Sequence, residues 1–302
     1  MRWFVFFCLS VFSLLVILPQ RAAAQDEPPR TSPEIVEAAP AEAWRLLDPA
    51  NTLYLTLPTG DVVIELAPRF APKHAENIKA MVQQGFFDDG AVIRSQDNYV
   101  AQWATRSLPE DAEPPALLTT SLDAEIEVAA ANQPFMALPD ADVYAPEAGF
   151  VDGFAAGRDA DTDVMWMAHC YGVVGVARST DLNSGNGSQL YMVTGHAPRH
   201  LDRNITVVGR VVEGAEHLST LPRGTGRLGF YETSEERTSI TARVGSDVPE
   251  EERLQLEIMR TDSDAFREHI MARRSRTEAF FVRPADRIDV CNVPVPTRLL
   301  GE

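Results

Sequence analysis

The sequence is short of positive charge. Its 302 residues include 27 lysines and arginines against 44 aspartates and glutamates, so the formal net charge is −17 at pH 7. Proteins that bind nucleic acid or an anionic membrane surface present a basic patch to those polyanions. The charge balance therefore argues against both classes of partner, and the acidic surface is interpreted first as a source of solubility.

Long apolar runs are also scarce, and the one that stands out lies at the N-terminus. After the basic residue Arg2, an apolar run of about 15 residues leads to the small residues 22–24. This layout predicts a secretory signal peptide, residues 1–24, and a periplasmic location in a bacterium. The run is shorter than the roughly 20 residues that span a membrane. We therefore expect no stable membrane insertion after cleavage, with an uncleaved N-terminal anchor as the alternative.

Cysteine is rare as well. The chain has three, of which Cys8 lies inside the predicted signal peptide, so that the mature protein keeps Cys170 and Cys291. Two cysteines in an oxidising compartment predict a disulfide. Two buried free thiols are the alternative.

The chain after the signal peptide divides by composition. Residues 25–50 are rich in Pro, Ala and Glu, and are interpreted as an N-terminal tail or linker with one helical turn around Trp44. Residues 51–222 carry strand patterns separated by turn residues, and one stretch of helical spacing that Gly85 ends. Many strands, few helices and no alternating βαβ pattern predict a mainly β protein, built on an antiparallel sheet or barrel.

A long acidic insertion interrupts this region at about residues 104–170. Between Ser107 and Asp163 it contains 13 acidic residues and one basic residue, Arg158, with many prolines. A structureless loop of that length is unusual inside a compact domain. We therefore expect a long, partly ordered loop region that packs over the surface.

The C-terminal part, residues 223–302, contains a strand, one or two helices and a final extended run. Pro249 is expected to begin the first helix, with acidic residues in its first turn. Asp262 or Ser263 is expected to cap the second. These features predict an α/β extension packed on the preceding domain.

Arg94 and Gln102 stand in the largely apolar stretch AVIRSQDNYVAQWATR, where neither belongs comfortably in a core. A buried guanidinium needs a partner, whereas one at a pocket rim offers several fixed N–H donors to a ligand. On spacing alone, a structural salt bridge is the more frequent role for Arg94. The segments further along the chain favour a ligand-binding donor instead.

Four segments in order resemble the cyclophilin family of peptidyl-prolyl isomerases. In that family an arginine precedes an aromatic residue by five positions, an aliphatic by six and a glutamine by eight, as in residues 94–102. A Gly-Ser-Gln strand, a Leu-Asp pair and a Gly-[Lys/Arg]-Val strand then follow, as in residues 187–214. GVVGVAR resembles the Gly-x-x-x-Met-Ala strand, and the N-terminal hairpin, helix and GFFDD fall in family order. The resemblance covers about residues 51–103 and 171–222.

The resemblance implies a closed antiparallel barrel of about eight strands, capped by helices, with its groove on the outer face. It assigns catalysis to Arg94 with Gln102 beside it. It also implies a set of residues that line a proline pocket and the groove for the preceding residue: Tyr99, Val100, Ala177, Gln189, Tyr191, Leu201 and Ile205. Strand alternation alone would put Tyr99 on the face opposite Val100, so its place in the pocket also requires a local bend.

Some positions depart from the family pattern. Tyrosine replaces the usual phenylalanine at Tyr99 and Tyr191, which adds hydroxyl groups that need partners. His200 stands where many members have tryptophan, and Ile205 where histidine or tyrosine is frequent.

The implied activity is isomerisation of X-Pro bonds, with proline-containing segments of unfolded or exported proteins as partners. The chemistry requires no metal and no cofactor, and His196 and His200 lack a third ligand with convincing spacing. The alternative is a non-catalytic peptide-binding, chaperone or scaffold protein that retains the groove.

Overall fold

The computed structural model describes residues 29–105 and 121–300, so the predicted signal peptide lies outside the described residues. These two ranges contain four helices: α1 (Ser32–Glu37), α2 (Pro72–Gln83), α3 (Glu216–Ser219) and α4 (Asp264–Arg274). They contain sixteen strands: β1 (Trp44–Leu46), β2 (Thr52–Leu57), β3 (Gly60–Leu66), β4 (Gly90–Ser95), β5 (Val100–Ala104), β6 (Val128–Ala129), β7 (Met136–Ala137), β8 (Glu147–Val151), β9 (Phe154–Asp159), β10 (Val164–Met167), β11 (Val173–Val176), β12 (Gln189–Val193), β13 (Val207–Glu213), β14 (Thr238–Val244), β15 (Leu256–Met259) and β16 (Thr297–Leu299). None of the described helices is long and apolar enough to cross a bilayer.

Eight antiparallel strands close into a barrel in the order β11-β12-β5-β4-β14-β2-β3-β13. Because side chains alternate along a strand, one face of each strand fills the barrel interior. Leu55, Ile64, Trp103 and Met192 lie in this core and are at most 2% exposed. The expected closed eight-stranded antiparallel barrel is confirmed.

The strand that completes the barrel comes from the segment assigned to the extension. β14 pairs with β2 on one side and with β4 on the other. Its alternate residues Ile240, Ala242 and Val244 are buried in the barrel core. Without β14, two strand edges would stay unpaired. The barrel therefore continues to residue 244 instead of ending at residue 222.

The segment interpreted as an N-terminal tail is packed along its described part. α1 contacts α4, and β1 pairs with β15. Ile35 and Trp44 are 2% and 5% exposed. Trp44 packs in one cluster with Met259 and Phe266 of the C-terminal extension, so residues 29–50 pack against the body instead of acting as a linker.

The insertion contains a five-stranded sheet, in the order β6-β10-β9-β8-β7, where few regular elements were expected. Its strands are only two to six residues long, which is too short for a clear periodic pattern. The tight β8–β9 turn places Asp152 and Gly153 at φ +49° and +93°. Phe150 and Met165 are buried and pack in one cluster with Phe266 of α4.

The extension forms α4 and a three-stranded sheet, β1-β15-β16. As expected, Ser263 caps α4, its Oγ accepting a hydrogen bond from the backbone N of Phe266 at 3.1 Å. The helix expected at Pro249 is reduced to a 3₁₀ turn, Glu250–Glu252. The apolar residues after it alternate as in a strand, and they pack on the outer face of the barrel.

A disulfide joins the insertion to the extension. Cys170 ends the insertion and Cys291 lies in the extension, and their sulfur atoms are 2.08 Å apart. The predicted disulfide is present, and the free-thiol alternative is not. The bond links positions separated by 121 residues.

Replacing both Cys170 and Cys291 by serine is expected to lower the free energy of unfolding by about 2–5 kcal/mol, because the unfolded chain loses a long closed loop. Urea unfolding of the variant and of the oxidised parent measures the difference. Alkylation of the denatured parent without reductant serves as the control and should label neither of these two cysteines. Equal unfolding midpoints, or labelling of both cysteines, would contradict the prediction.

Candidate active site

A β-bulge in β4 turns Arg94 out of the barrel. Val92 pairs with Trp103 of β5, yet Arg94 pairs with Gln102, so Ile93 is an extra residue without an opposite partner. Strict two-residue alternation would point Arg94 into the same apolar interior as Val92. The extra residue reverses that alternation. Arg94 and Gln102 therefore share the outer face.

Arg94 donates hydrogen bonds from all three of its nitrogens. Nε bonds the backbone oxygen of Leu228 at 2.7 Å, Nη1 bonds Oε1 of Gln102 at 3.2 Å, and Nη2 bonds Oε1 of Gln96. No carboxylate among residues 29–105 and 121–300 lies within ion-pair distance of Arg94. The salt bridge that spacing alone favoured is thus not formed in this part of the chain.

The guanidinium of Arg94 lies between two aromatic rings. Its central carbon is 5.6 Å from the ring centre of Tyr99 and 5.2 Å from that of Phe230. Partial burial lowers the pKa of Arg94, and the electrostatic effect of Tyr99 offsets part of this shift. Because a guanidinium is not deprotonated in proteins, Arg94 remains charged near neutral pH. The site therefore presents a partly desolvated cation.

Phe230 and the carbonyl of Leu228 belong to residues 223–231, which the sequence analysis did not assign to the site. Leu228 and Gly229 have φ values of +58° and +76°. A Cβ at Gly229 would lie 2.6 Å from Cα of Gln96, so glycine allows this close approach to the β4–β5 turn. The glycine-rich run RGTGRLGFY, ending in aromatic residues, was the available signal.

A pocket with an apolar wall opens beside Arg94. Val100 and Tyr191 line it and pack in one buried cluster with Val193, each at most 4% exposed. The cavity has a volume of about 460 Å³. All nine predicted site residues line it: Arg94, Tyr99, Val100, Gln102, Ala177, Gln189, Tyr191, Leu201 and Ile205. The structure brings these residues together, and their individual roles remain predictions.

Tyr99 reaches the pocket because the chain turns before β5. The backbone N of Tyr99 bonds the oxygen of Gln96 at 3.3 Å, and the N of Gln96 bonds the oxygen of Val100 at 2.9 Å. Asn98, inside this turn, has φ +49°, a conformation that asparagine tolerates better than most residues. Since β5 begins only at Val100, strand alternation does not apply to Tyr99. This turn is the local bend that the sequence analysis required.

Gln102 connects the two sides of the groove. Its Oε1 accepts from Arg94, and its Nε2 donates to Oε1 of Gln189 at 3.0 Å. Both polar ends of the amide therefore have partners although the residue is only 5% exposed. Gln102 is held in one orientation beside Arg94.

The hydroxyl of Tyr191 has a partner that the sequence analysis missed. Its oxygen lies 3.0 Å from Nε2 of His169, 22 residues earlier in the chain. Burial, followed by the electrostatic effect of Tyr99, raises the pKa of Tyr191 well above its ordinary value. The hydroxyl therefore keeps its proton. No local sequence pattern around His169 indicates this contact.

The groove carries positive charge on an acidic protein. Arg94 and Arg178 line the cavity, and none of its lining residues in the described part of the chain is acidic. Arg178 donates from Nε to the oxygen of Asn204 at 3.0 Å and from Nη1 to that of Ser179 at 2.8 Å. Backbone carbonyls do not neutralise its charge. The lining of the cavity in the described part of the chain is therefore positively charged, in contrast to the acidic chain as a whole.

In residues 29–105 and 121–300, no three His, Cys, Asp or Glu side chains are grouped so that they could hold a metal ion.

The model of the family "Cyclophilin type peptidyl-prolyl cis-trans isomerase/CLD" matches residues 52–243. A Brucella suis protein named "Probable peptidyl-prolyl cis-trans isomerase" is 29% identical over 178 residues, which is 59% of this chain and 74% of the relative. A Synechocystis protein named "Putative thylakoid lumen peptidyl-prolyl cis-trans isomerase" is 27% identical over 183 residues, which is 57% of this chain and 44% of that protein.

Among solved structures, the cyclophilin AquaCyp293 from Hirschia baltica is similar to this chain. The TM-score is 0.68 and the sequence identity 26%, and the alignment covers 85% of this chain and 93% of that one. This coverage exceeds the span 52–243, so the structural likeness includes parts of the chain outside the matched family region.

Proposed function

The chain belongs to the cyclophilin-type peptidyl-prolyl cis-trans isomerase family and is a peptidyl-prolyl isomerase, and we propose that Arg94 promotes rotation of X-Pro bonds in exported proteins. The observation that carries this proposal is the position of Arg94. A charged donor without a carboxylate partner in the described part of the chain lines the same cavity as the apolar cluster of Val100 and Tyr191.

The reaction explains why a donor is needed at this position. Rotation about a peptide bond faces a barrier of about 18–20 kcal/mol, because the nitrogen lone pair is delocalised into the carbonyl. In the twisted transition state that lone pair returns to the prolyl nitrogen. A donor held near this nitrogen then binds the transition state more strongly than the planar ground state, and each ~1.4 kcal/mol of difference raises the rate tenfold.

The surrounding contacts suit Arg94 to this task. A guanidinium has five N–H groups, and three nitrogens make one bond each to Leu228, Gln102 and Gln96. Two N–H groups thus have no partner in the described part of the chain and are available to a substrate, while the three bonds hold the side chain in place. The apolar cluster grips the proline ring, and Gln102, bonded to Gln189, holds or orients the neighbouring groups.

Three observations support exported proteins as substrates. The first 24 residues have the layout of a signal peptide. The Cys170–Cys291 disulfide is typical of oxidising compartments such as the periplasm. In addition, the printed name of the Synechocystis relative assigns that protein to the thylakoid lumen. We accordingly propose a periplasmic location.

Arg94→Ala is expected to lower kcat/KM by about 100- to 1,000-fold, the usual cost of removing one preorganised donor from a transition state. A prolyl-isomerisation assay on a short X-Pro peptide measures this. Arg243→Ala is the matched control, because Arg243 lies on barrel strand β14 and is paired with Glu252. The control should retain the parent rate. Equal rates for the parent and Arg94→Ala, or no parent rate above background, would refute the mechanism.

Charge in the groove predicts a substrate preference. Peptides with glutamate just before the X-Pro pair are expected to show about two- to fivefold higher kcat/KM than those with lysine, because Arg178 interacts with the acidic side chain. Added salt should shrink the difference, and Arg178→Gln should reduce it further. A preference for lysine, or one that survives the substitution unchanged, would contradict this assignment.

A further inference from the structure

Residues of the acidic insertion reach the wall of the proline pocket. His169, which follows β10 at the end of the insertion, lies under Tyr191, with the two ring centres 6.5 Å apart and an interplanar angle of 14°. Their polar atoms, Nε2 and Oη, are 3.0 Å apart. His169 is fully buried and Tyr191 is 4% exposed. The contact is thus closed to solvent.

His169 is itself held by a buried carboxylate. Oδ1 of Asp202 lies 3.0 Å from Nδ1 of His169 and accepts from its backbone N at 2.9 Å. Because a carboxylate only accepts, Nδ1 carries the proton and donates it to Asp202. In the neutral imidazole, Nε2 is then the acceptor for the Tyr191 hydroxyl. The two bonds fix both the tautomer and the ring orientation.

Arg199 connects the carboxylate of Asp202 to Asp142 of the insertion. Arg199 donates from Nε to Oδ2 of Asp202 at 2.5 Å. It also bonds both oxygens of Asp142, each at 3.1 Å, in a bidentate pair. The side chains of Arg199 and Asp142 are each 3% exposed. Burial alone would raise the pKa of Asp202, but the bond from His169 and the charge of Arg199 hold it below its ordinary value.

The hydrogen-bonded network of His169, Asp202, Arg199 and Asp142 holds two residues that line the pocket. Tyr191 is held through its hydroxyl, and Leu201 lies in the short turn Arg199–Leu201, directly before Asp202. The backbone also makes room for the contact. A Cβ on Gly175 would lie 2.3 Å from Oη of Tyr191, so the strand opposite Tyr191 accommodates the hydroxyl only with glycine at this position.

We propose that His169 and Asp142, both from the insertion, are positioning residues for the proline pocket. They fix the ring of Tyr191 and the turn that carries Leu201, and so set how closely the pocket fits a five-membered ring. This rests on the proposed function of the groove. Neither His169 nor Asp142 lines the cavity itself. The insertion thus acts on the pocket through the residues that these two side chains hold.

Asp142→Asn tests the proposal against a matched partner, Asp140→Asn. Asp140 also makes a two-oxygen pair with an arginine, Arg274, and its side chain is 6% exposed, but its partners lie outside the network that holds Tyr191 and Leu201. Asp142→Asn should weaken binding of an X-Pro peptide about five- to tenfold in Kd and KM, with kcat within about twofold, because buried Arg199 loses one of its two carboxylate partners and keeps only Asp202. Asp140→Asn should change neither Kd nor KM.

A second pair of variants keeps the test decisive if Asp142→Asn does not fold. Tyr191→Phe removes the pocket hydroxyl, and Tyr54→Phe removes that of an equally buried tyrosine, whose oxygen accepts from the backbone N of Leu254 at 3.0 Å. Only Tyr191→Phe should weaken peptide binding. It should also reduce the preference for a prolyl over a six-membered pipecolyl ring, about threefold or more, since the loosened wall no longer fits the smaller ring closely.

The outcomes separate this proposal from the proposed function. Calorimetry reports Kd whether or not the bond rotates, so a parent that binds but does not isomerise would overturn the proposed function and still allow the variants to be compared. Equal Kd and equal ring preference within both pairs would overturn the positioning role. A selective loss in Asp142→Asn and Tyr191→Phe would support it.

Discussion

Closure of the barrel is the constraint on which the rest of the structure depends. A closed sheet has no free edge and one packed interior, so each strand residue faces either the core or the outer surface. Arg94 faces outward only because Ile93 adds one residue to β4. A bulge also bends the strand and increases its twist. The bulge thereby places Arg94 beside Gln102 and in contact with residues 223–231. There the carbonyl of Leu228 accepts a hydrogen bond from Arg94, and the ring of Phe230 lies against its guanidinium.

The parts of the site that could be predicted are those that lie within short sequence motifs, around Arg94 and, through the family resemblance, in residues 177–205. Val100 and Gln102 share a strand face, and their distance from Arg94 along the chain resembles the family pattern. The bulge has no local signature, since Ile93 is an ordinary strand residue. The contacts of Phe230 and His169 depend on how distant segments meet, and spacing contains no information about that. Short strands explain why the sheet of the insertion was also missed.

The acidity of the insertion has a second explanation beside solubility. Glu125 accepts from the first two free backbone N–H groups of α2, at 3.1 and 3.0 Å, where the helix lacks a side-chain cap of its own. Asp140 pairs with Arg274 of α4, and Asp142 pairs with Arg199 beside the pocket. Carboxylates of the insertion thus bond the N-terminus of α2 and arginines in other parts of the chain. Removing such a carboxylate would leave an arginine or a helix N-terminus with one bond fewer, so these acids are specific packing partners.

The last two residues of the insertion, His169 and Cys170, bond to the pocket wall and to the extension. His169 bonds Tyr191 and Asp202 on the pocket side, and Cys170, the next residue, is bonded to Cys291 of the extension. A buried polar network is stable only while every member keeps its partner, because the low dielectric makes an unpaired group costly. If His169 moved away, the carboxylate of Asp202 would lose two of its bonds. The adjacent disulfide restricts that movement, so the rigidity of one wall of the groove depends on segments that are remote from it in sequence.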